Sequence, residues 1–331
     1  MSETTVIWAI VQFIAGFVLL VGGAELLIRG ASRIALRLGI APIIVGLTVV
    51  AFGTSMPELM VSVLANMGSA GGSDIAIGNI VGSNVANLGL ILGLCGSVYA
   101  LTVNRHIVKV EYPLLMGVSV LFSAVALGGV LLQWEGALLT AGLVAFIGWN
   151  VYTARKQYEM AHAARENLEV AVSVDERIAR PSEQPWFDVL LIIMGMGGLV
   201  LGADWLVNGA RTIAQALGVS DMVIGLTLVA IGTSLPEAAT SLVAVFRRQG
   251  DLAIGNVVGS NLFNILGIAG ITSLIKPLPV PESIWLDLLV MLGFTGLVYA
   301  MIWRRPHRIE RWEGAILLAL YVAYMTYLFL R

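Results

Sequence analysis

The chain contains the same polar motif twice, and this repeat constrains the fold more than any other feature. Residues 46–62 read GLTVVAFGTSMPELMVS, and residues 225–241 read GLTLVAIGTSLPEAATS, at an offset of 179 positions. A second pair follows at an offset of 177, with DIAIGNIVGSNVAN at 74–87 and DLAIGNVVGSNLFN at 251–264. Weaker matches flank both pairs, including WEGA at 134–137 and at 312–315. Because polar residues recur in register over nearly the whole chain, the two halves are copies of one unit.

The composition indicates that this unit lies in a membrane. Charged residues make up 12% of the 331 residues and hydrophobic residues make up 58%, with a mean hydropathy of +0.90. Soluble proteins carry about 25% charged residues, and a soluble chain this apolar would expose large hydrophobic patches. The net charge is −2 and there is no basic block. We therefore exclude a soluble enzyme, a disordered regulator and a nucleic-acid binder, and predict a polytopic membrane protein.

Ten apolar segments are long enough to cross a bilayer, since a spanning helix needs roughly 20 residues. The first is interpreted as a retained span and not as a signal peptide, because no positive charge precedes it. The mixed-charge stretch 155–185 contains no calcium-loop pattern and divides the chain into a first repeat at 1–154, a linker, and a second repeat at 186–331. The ten segments are about 6–28, 41–66, 75–99, 110–131, 134–154, 187–207, 222–246, 252–275, 283–303 and 312–330.

Each half has five segments, so the second half must enter the membrane from the opposite side. We predict an all-α polytopic membrane protein with ten transmembrane helices in two inverted five-helix repeats, an arrangement typical of transporters whose site lies near the midplane. If the N-terminus is outside, 16 of the 19 Lys and Arg residues fall on the inner side and three fall outside. This asymmetry predicts that both termini are outside and that the 155–185 linker is cytoplasmic.

One acidic residue in each copy of the first motif lies inside an apolar segment. Glu58 is the only charged residue in positions 38–73, and Glu237 is the only one in positions 222–246. A charge at membrane depth costs a few kcal/mol or more, so such residues usually face a partner or a watery cavity. Neither segment contains a Lys or Arg to pair with its Glu. Because the two positions are equivalent in the repeat, inverted symmetry can bring the two carboxylates together.

A proline precedes each of these acids and predicts a broken helix. Pro57 and Pro236 cannot donate a hydrogen bond to the glycine carbonyl four residues back. We therefore expect helices 2 and 7 to be broken, with free carbonyls near Ala51–Gly53 and Ala230–Gly232. Carbonyls without a donor at membrane depth are tolerated only around a cavity, where their oxygens can bind a hard cation.

Hydroxyl and amide side chains accompany the two acids. Thr54 and Glu58 are spaced i, i+4 and share a helix face, as do Thr233 and Glu237. Hydroxyls at the broken turns come from Ser55 and Ser234. The second motif adds a polar stripe in each half, formed by Asn79, Ser83 and Asn87 and by Asn256, Ser260 and Asn264. We assign helix–helix contact to Asn79, Asn84, Asn256 and Asn261, and ion contact to Ser83, Asn87, Ser260 and Asn264.

The candidate ligands are all oxygen atoms. No His or Cys lies in these segments, which argues against zinc or copper. Ca²⁺ takes six to eight oxygens in flexible geometry, and Na⁺ suits the same set. Two carboxylates give a charge near −2, which one Ca²⁺, two monovalent ions or two protons neutralise.

The lone Cys95 excludes an internal disulfide and is expected to be a buried, inert thiol.

The paired GTSMPE and GTSLPE segments, each followed by GNIVGSN or GNVVGSN, resemble the two alpha-repeats of the cation/Ca²⁺ exchanger superfamily. The similarity covers essentially the full chain and is greatest to bacterial calcium/sodium antiporters related to the K⁺-dependent Na⁺/Ca²⁺ exchangers. It implies ten helices, alternating access and a location in a bacterial inner (plasma) membrane. The ion ligands it implies are Thr54, Ser55, Glu58, Ser83, Asn87, Thr233, Ser234, Glu237, Ser260 and Asn264, with backbone ligands near Ala51 and Ala230.

One position departs from the family pattern. Many Na⁺/Ca²⁺ exchangers carry Asp where this chain has Asn264, so the site here has two acids and a symmetric pair of amides, Asn87 and Asn264. This leaves K⁺ co-transport and the Na⁺ stoichiometry open. The proton-coupled branch typically has Gly-Asn before its acid, where this chain has Gly-Thr-Ser, which favours Na⁺ over H⁺.

These observations lead us to expect a secondary antiporter that exchanges Ca²⁺ for Na⁺ by switching one midplane site between the two faces. An H⁺/Ca²⁺ antiporter using the same two Glu and, as a weaker alternative, a cation channel stay open. We expect no enzymatic activity, since the sequence shows no nucleophile–base pair or metal-hydrolase spacing. No cofactor beyond the transported ions, no nucleic acid and no obligate protein partner is expected; the surrounding partner is the lipid bilayer.

Overall fold

A computed structural model shows a mostly helical, polytopic membrane fold. It describes residues 3–38, 44, 46–68, 72–165, 185–217, 230–304 and 307–330. Seven of the described helices are long and apolar enough to cross a membrane, and one bent helix pair passes the same test as a unit. Two other predicted spans correspond to a shorter apolar helix, Leu235–Phe246, and to a helix at Arg311–Leu330. Part of the predicted span 222–246, namely 222–229, lies outside the described residues.

The first half begins with a long helix and continues with interrupted ones. Helix α1 is Glu3–Leu38, α2 is Ala51–Thr54 after a π-helical turn at Gly46–Val50, and α3 is Met56–Met67. Helix α4, Gly72–Ala86, continues through a π-helical turn at Asn87–Ile91 into α5, Leu92–Val98. The remaining elements are β1 (Leu101–Thr102), a π-helical turn (Ile107–Glu111), α6 (Tyr112–Ala126), β2 (Val130–Leu131) and α7 (Gln133–Arg165).

The second half repeats this order. Helix α8 is Pro185–Ala216, α9 is Ala230–Thr233 and α10 is Leu235–Phe246. Helix α11, Gly250–Leu262, continues through a π-helical turn at Phe263–Ala269 into α12, Gly270–Ile275. The remaining elements are β3 (Leu278–Pro279), a 3₁₀ turn (Glu282–Ile284), α13 (Trp285–Trp303), β4 (Arg308–Ile309) and α14 (Arg311–Leu330).

Two features differ from the predicted fold. The predicted all-α spans are accompanied by four two-residue strands, which pair in the connections and so satisfy backbone groups there. The fifth predicted span, 134–154, is part of a 33-residue helix that continues to Arg165. The predicted linker therefore begins as an extension of α7, and its residues 166–184 lie outside the described part of the chain.

Helices α1 and α8 run antiparallel and pack closely through glycine. The glycines recur every seven residues, at 16, 23 and 30 in α1 and at 195, 202 and 209 in α8, and they are equivalent at the repeat offset of 179. A Cβ atom at Gly23 would lie 2.8 Å from the Gly195 carbonyl oxygen, and one at Gly195 would lie 2.8 Å from the Gly23 carbonyl oxygen. Glycine is required at this seam because the two backbones touch.

The two pairs of short strands are equivalent to each other in the repeat. Strand β1 pairs with β4, with Leu101 opposite Ile309, and β2 pairs with β3, with Leu131 opposite Leu278. In the repeat, Leu101 is equivalent to Leu278 and Leu131 is equivalent to Ile309. Exchanging the two halves therefore converts one bridge into the other. Both bridges tie the first half of the chain to the second.

Candidate functional site

The two predicted helix breaks occur at Ser55 and Ser234. Ser55 (φ −86°, ψ 6°) separates α2 from α3, whose axes meet at 50°. Ser234 (φ −89°, ψ 4°) separates α9 from α10 in the same conformation. In each half a proline follows two residues later, where the missing N–H prevents a continuous helix. The broken helices that the sequence predicts are thus present in both halves.

The two acidic residues are bound crosswise by the serines of the opposite half. The Ser55 hydroxyl donates to Glu237 Oε1 at 2.8 Å, and the Ser234 hydroxyl donates to Glu58 Oε1 at 3.4 Å. Both glutamates are 1% exposed. Two negative charges are thus buried at the interface between the two halves, where a cation would neutralise them.

The two threonines are linked to the opposite half through amides. The Thr54 hydroxyl lies 3.4 Å from Asn256 Oδ1, and the Thr233 hydroxyl lies 3.5 Å from Asn79 Oδ1. Each asparagine also donates through Nδ2 to the backbone oxygen of the glutamate in its own half, at 3.1 Å for Asn79 and 3.3 Å for Asn256. The hydrogen bonds around the acids therefore follow the same pattern twice.

The remaining predicted side chains are buried on the helices that carry these asparagines. Ser83 and Asn87 lie one and two turns beyond Asn79, and Ser260 and Asn264 lie at the equivalent positions beyond Asn256. All four are at most 5% exposed. The Asn87 amide donates to Asn261 Oδ1 at 3.0 Å, whereas Asn84 donates to its own helix at Ile80. The hydrogen bonds of these asparagines therefore differ between the two halves, whereas those around the two acids are repeated.

Several buried oxygen atoms of the predicted site have no hydrogen-bond partner among the residues that the structure describes. A buried polar atom without a partner costs about 1–3 kcal/mol, so a group of them needs a ligand or water. Carboxylate, amide and hydroxyl oxygens are suitable ligands for Ca²⁺. These atoms are Glu58 Oε2, Glu237 Oε2, Asn87 Oδ1, Asn264 Oδ1 and Ser260 Oγ.

The backbone near Ala51 differs from the prediction. Its carbonyl oxygen accepts hydrogen bonds from the Ser55 N–H at 3.1 Å and from the Thr54 hydroxyl at 3.3 Å, so it is not free as expected. The carbonyl oxygen that loses its helical donor is that of Gly53, because Pro57 has no N–H. Ala230 begins α9 at the equivalent position.

Sequence reasoning missed two groups of residues. The Ser62 and Ser241 hydroxyls accept from the amides of Asn79 and Asn256, each at 2.9 Å. Both serines occur at the same place in the repeated motif, and this recurrence could have identified them.

The second group is a set of ion pairs at the end of α1. Asp188 pairs with Arg33 and Arg37, and Glu25 pairs with Arg247 in addition to Arg29, four residues further along its own helix. Of these, only the Glu25–Arg29 pair is visible from helical spacing.

Comparisons with known proteins agree with the geometry. The model of the sodium/calcium exchanger protein family matches residues 8–156 and 187–330. The chain is 32% identical to the sodium/calcium exchanger MaX1 of Methanosarcina acetivorans, over 95% of this chain and 96% of that protein. It is 33% identical to the inner membrane protein YrbG of Escherichia coli strain K12, over 96% and 95%. The solved structure of the sodium–calcium exchanger NCX_Mj, soaked with zero Na⁺ and Ca²⁺, matches with a TM-score of 0.81 at 30% identity, covering 98% of this chain and 99% of that one.

Proposed function

The chain belongs to the sodium/calcium exchanger protein family, and we propose that it exchanges Ca²⁺ for Na⁺ by alternating access at one site near the membrane midplane. The observation that carries this proposal is the crosswise pairing of Ser55 with Glu237 and of Ser234 with Glu58. Two halves that each supply an acid and bind the other half's acid form a single site for a cation. Such a site can face either membrane surface when the halves move relative to each other.

The charge and chemistry of the site favour these two ions. Glu58 and Glu237 contribute two negative charges, and the other groups contribute neutral oxygens. One Ca²⁺ or two Na⁺ neutralise two carboxylates, so the same residues accept both ions in turn. The proposed ligands are Glu58, Glu237, Thr54, Ser55, Thr233, Ser234, Ser83, Asn87, Ser260 and Asn264, with backbone oxygens near Ala51 and Ala230.

We propose ten transmembrane helices in two inverted repeats, one in residues 1–154 and one in residues 186–331. The glycine seam between α1 and α8 supports this arrangement, because the contact of Gly23 with Gly195 has its repeat equivalent in the contact of Gly202 with Gly16, with the two helices exchanged. The two strand bridges support it independently, since each becomes the other when the halves are exchanged. Two-fold symmetry in the membrane plane has this property.

The proposed orientation has both termini outside and the 155–185 linker in the cytoplasm of a bacterial inner membrane. The excess of Lys and Arg on one side supports it. The described loops agree, since the β1–β4 bridge is flanked by Arg105, Lys109, Arg304 and Arg311. Attachment of a bulky thiol reagent to single cysteines at Gly129 and at Arg105, in a Cys95→Ser background, tests the orientation. The reagent added outside intact cells should label only position 129.

The function is tested by Ca²⁺ uptake into proteoliposomes loaded with Na⁺, compared with equal loading of K⁺ or choline at matched pH. Uptake that requires internal Na⁺ supports the proposal. Uptake driven by a pH gradient without Na⁺ would replace Na⁺ coupling by H⁺ coupling. Uptake that needs no gradient of either ion would indicate a channel.

The site is tested by Glu58→Gln and Glu237→Gln. Each change removes one negative charge while keeping the shape of the side chain, so we expect loss of Ca²⁺ transport with normal insertion. Glu282→Gln is the matched control, because Glu282 is exposed in the turn before α13. Transport close to that of the unmodified protein from either site variant would contradict the assignment of the ligands.

A further inference from the structure

Asn79 and Asn256 make the same three contacts in the two halves, and these contacts join the acid of one half to a hydroxyl of the other. We propose that the two amides are positioning residues that hold the Thr233 and Thr54 hydroxyls with their lone pairs towards the cation. This inference rests on the proposed function. It goes beyond it by assigning a role in ion affinity to two residues that are not themselves ligands.

The orientation of each amide follows from its donors. Asn79 Nδ2 donates to the Glu58 backbone oxygen at 3.1 Å and to Ser62 Oγ at 2.9 Å. A backbone carbonyl can only accept, so the amide nitrogen must face it. The amide oxygen therefore faces the Thr233 hydroxyl, 3.5 Å away in the other half. Asn256 is oriented in the same way by Glu237 and Ser241.

A hydroxyl needs such an acceptor before it can bind a cation well. Its single proton must point away from the ion so that its lone pairs point towards it. For Thr233, the acceptor across the interface is Asn79 Oδ1. For Thr54, the acceptors within reach include the Ala51 carbonyl at 3.3 Å and Asn256 Oδ1 at 3.4 Å. When the proton goes to Asn256, one lone pair of the Ala51 oxygen becomes available to the ion.

The surroundings keep the Asn256 amide in place. Asn256 is fully buried, and α11 lies against the turn before α2 so closely that a Cβ atom at Gly46 would lie 2.9 Å from the Leu252 carbonyl oxygen. A Cβ atom at Gly259 would lie 2.8 Å from the Ala51 Cβ atom. Because the backbones are in contact here, Asn256 cannot move away from Thr54 without moving the whole helix. The amide therefore transmits the position of one half to a ligand of the other.

The proposal predicts which pairs of substitutions interact. Asn79→Leu and Thr233→Val each remove one partner of the same contact. We expect each single substitution to raise the Ca²⁺ KM of Na⁺-driven uptake about tenfold. The KM of the double variant should be at most about twofold higher than that of the more impaired single variant, because substitutions of two partners in contact are not additive. Asn79→Leu with Thr54→Val should instead multiply to about 100-fold, because those residues do not touch. The mirror experiment pairs Asn256→Leu with Thr54→Val and uses Thr233→Val as the control.

A second readout separates a positioning role from a merely structural one. The rise in melting temperature that Ca²⁺ produces in detergent reports ion binding without transport, and it should follow the same pattern of coupling. The proposal would be overturned if the effect of Asn79→Leu on the Ca²⁺ KM multiplied equally with that of Thr233→Val and with that of Thr54→Val. If the leucine variant does not insert, Asn79→Ala carries the test, because it removes the acceptor without adding bulk or charge. In that background Thr233→Val should add at most about twofold to the Ca²⁺ KM while Thr54→Val adds about tenfold, and equal effects of the two threonine variants would overturn the proposal.

The outcomes also separate this inference from the proposed function. If the unmodified protein shows no Na⁺-driven Ca²⁺ uptake, the proposed function fails, whereas the Ca²⁺-dependent melting temperatures still test the role of the amides. If uptake is normal and the coupling is absent, only the inference about Asn79 and Asn256 fails.

Discussion

The Ser55 hydroxyl donates to the Glu237 carboxylate across the interface between the two halves, at 2.8 Å and over 182 positions of the chain. Its mirror contact, from Ser234 to Glu58, is longer at 3.4 Å. The two halves therefore bind each other's acids with unequal geometry in a site that the sequence makes nearly symmetric. In the alternating-access cycle that we propose, the two acids would exchange these two environments.

The first prediction concerns the two serines. Ser55→Ala leaves the buried Glu237 Oε1 without its donor and should destabilise the ion-free protein by about 1–3 kcal/mol. Ser234→Ala should cost less, because its hydrogen bond is longer. Melting temperatures in a Ca²⁺ chelator measure both, and Ser123→Ala, whose hydroxyl binds back to its own helix at Ser119, is the control. Equal losses for Ser55 and Ser234 would contradict the observed difference in distance.

The second prediction concerns the bend. Pro57→Ala restores an N–H that can bind the Gly53 carbonyl, so the 50° bend between α2 and α3 should be reduced and the hydroxyls displaced from the acids. We expect at least tenfold slower Na⁺-driven Ca²⁺ uptake without loss of insertion, because the restored hydrogen bond favours a regular helix. Pro281→Ala, in the loop before α13, should leave the rate unchanged. A normal rate with Pro57→Ala would show that the bend is maintained by tertiary packing alone.

The third prediction tests the glycine seam with two adjacent residues. A Cβ atom at Gly23 would lie 2.6 Å from the Leu199 backbone nitrogen, whereas one at Gly22 would meet nothing within 4 Å among the described residues. Gly23→Ala should therefore force α1 away from α8 and destabilise the protein by about 1–3 kcal/mol. Gly22→Ala should be neutral. Melting temperature and yield in detergent measure the effect, and similar values for the two variants would argue against close contact at the seam.

The fourth prediction concerns a buried ion pair at one end of that seam. Asp188 is fully buried and faces Arg33 and Arg37 at 3.6 and 3.1 Å. Asp188→Asn removes a buried negative charge that faces two partly buried arginines, so a loss of about 3 kcal/mol is expected. Asp204→Asn on the same helix is the control, because Asp204 is exposed and accepts from Asn208 one turn away. Chemical or thermal unfolding in detergent checks the difference.

Much of the site could be predicted from the sequence because its signals are local or repeated. A proline two residues after Ser55 predicts a break at that turn, and a lone Glu in an apolar segment predicts burial next to a polar group. The duplication adds the information that Glu58 and Glu237 are equivalent. These three signals together predict the broken helices and the two acids without any knowledge of packing.

The partners of these residues could not be predicted, because they depend on how the helices pack. Nothing in the spacing indicates that Ser55 binds the acid of the other half and not Glu58, or that Asn79 reaches Thr233. The expected free carbonyl at Ala51 was wrong for a different reason. The backbone keeps helical geometry up to Ser55, whose N–H still binds the Ala51 oxygen, so proline affects the carbonyl of Gly53 instead.

The crosswise contacts also affect how the protein is made. Ser234 is synthesised 176 residues after Glu58, which takes about 9 to 35 s at a rate of 5–20 residues per second. During this interval the first half must enter the bilayer with an acid whose partner does not yet exist, at a cost of a few kcal/mol. Biogenesis therefore passes through a stage in which the first half is inserted while its buried acid still lacks the serine of the second half.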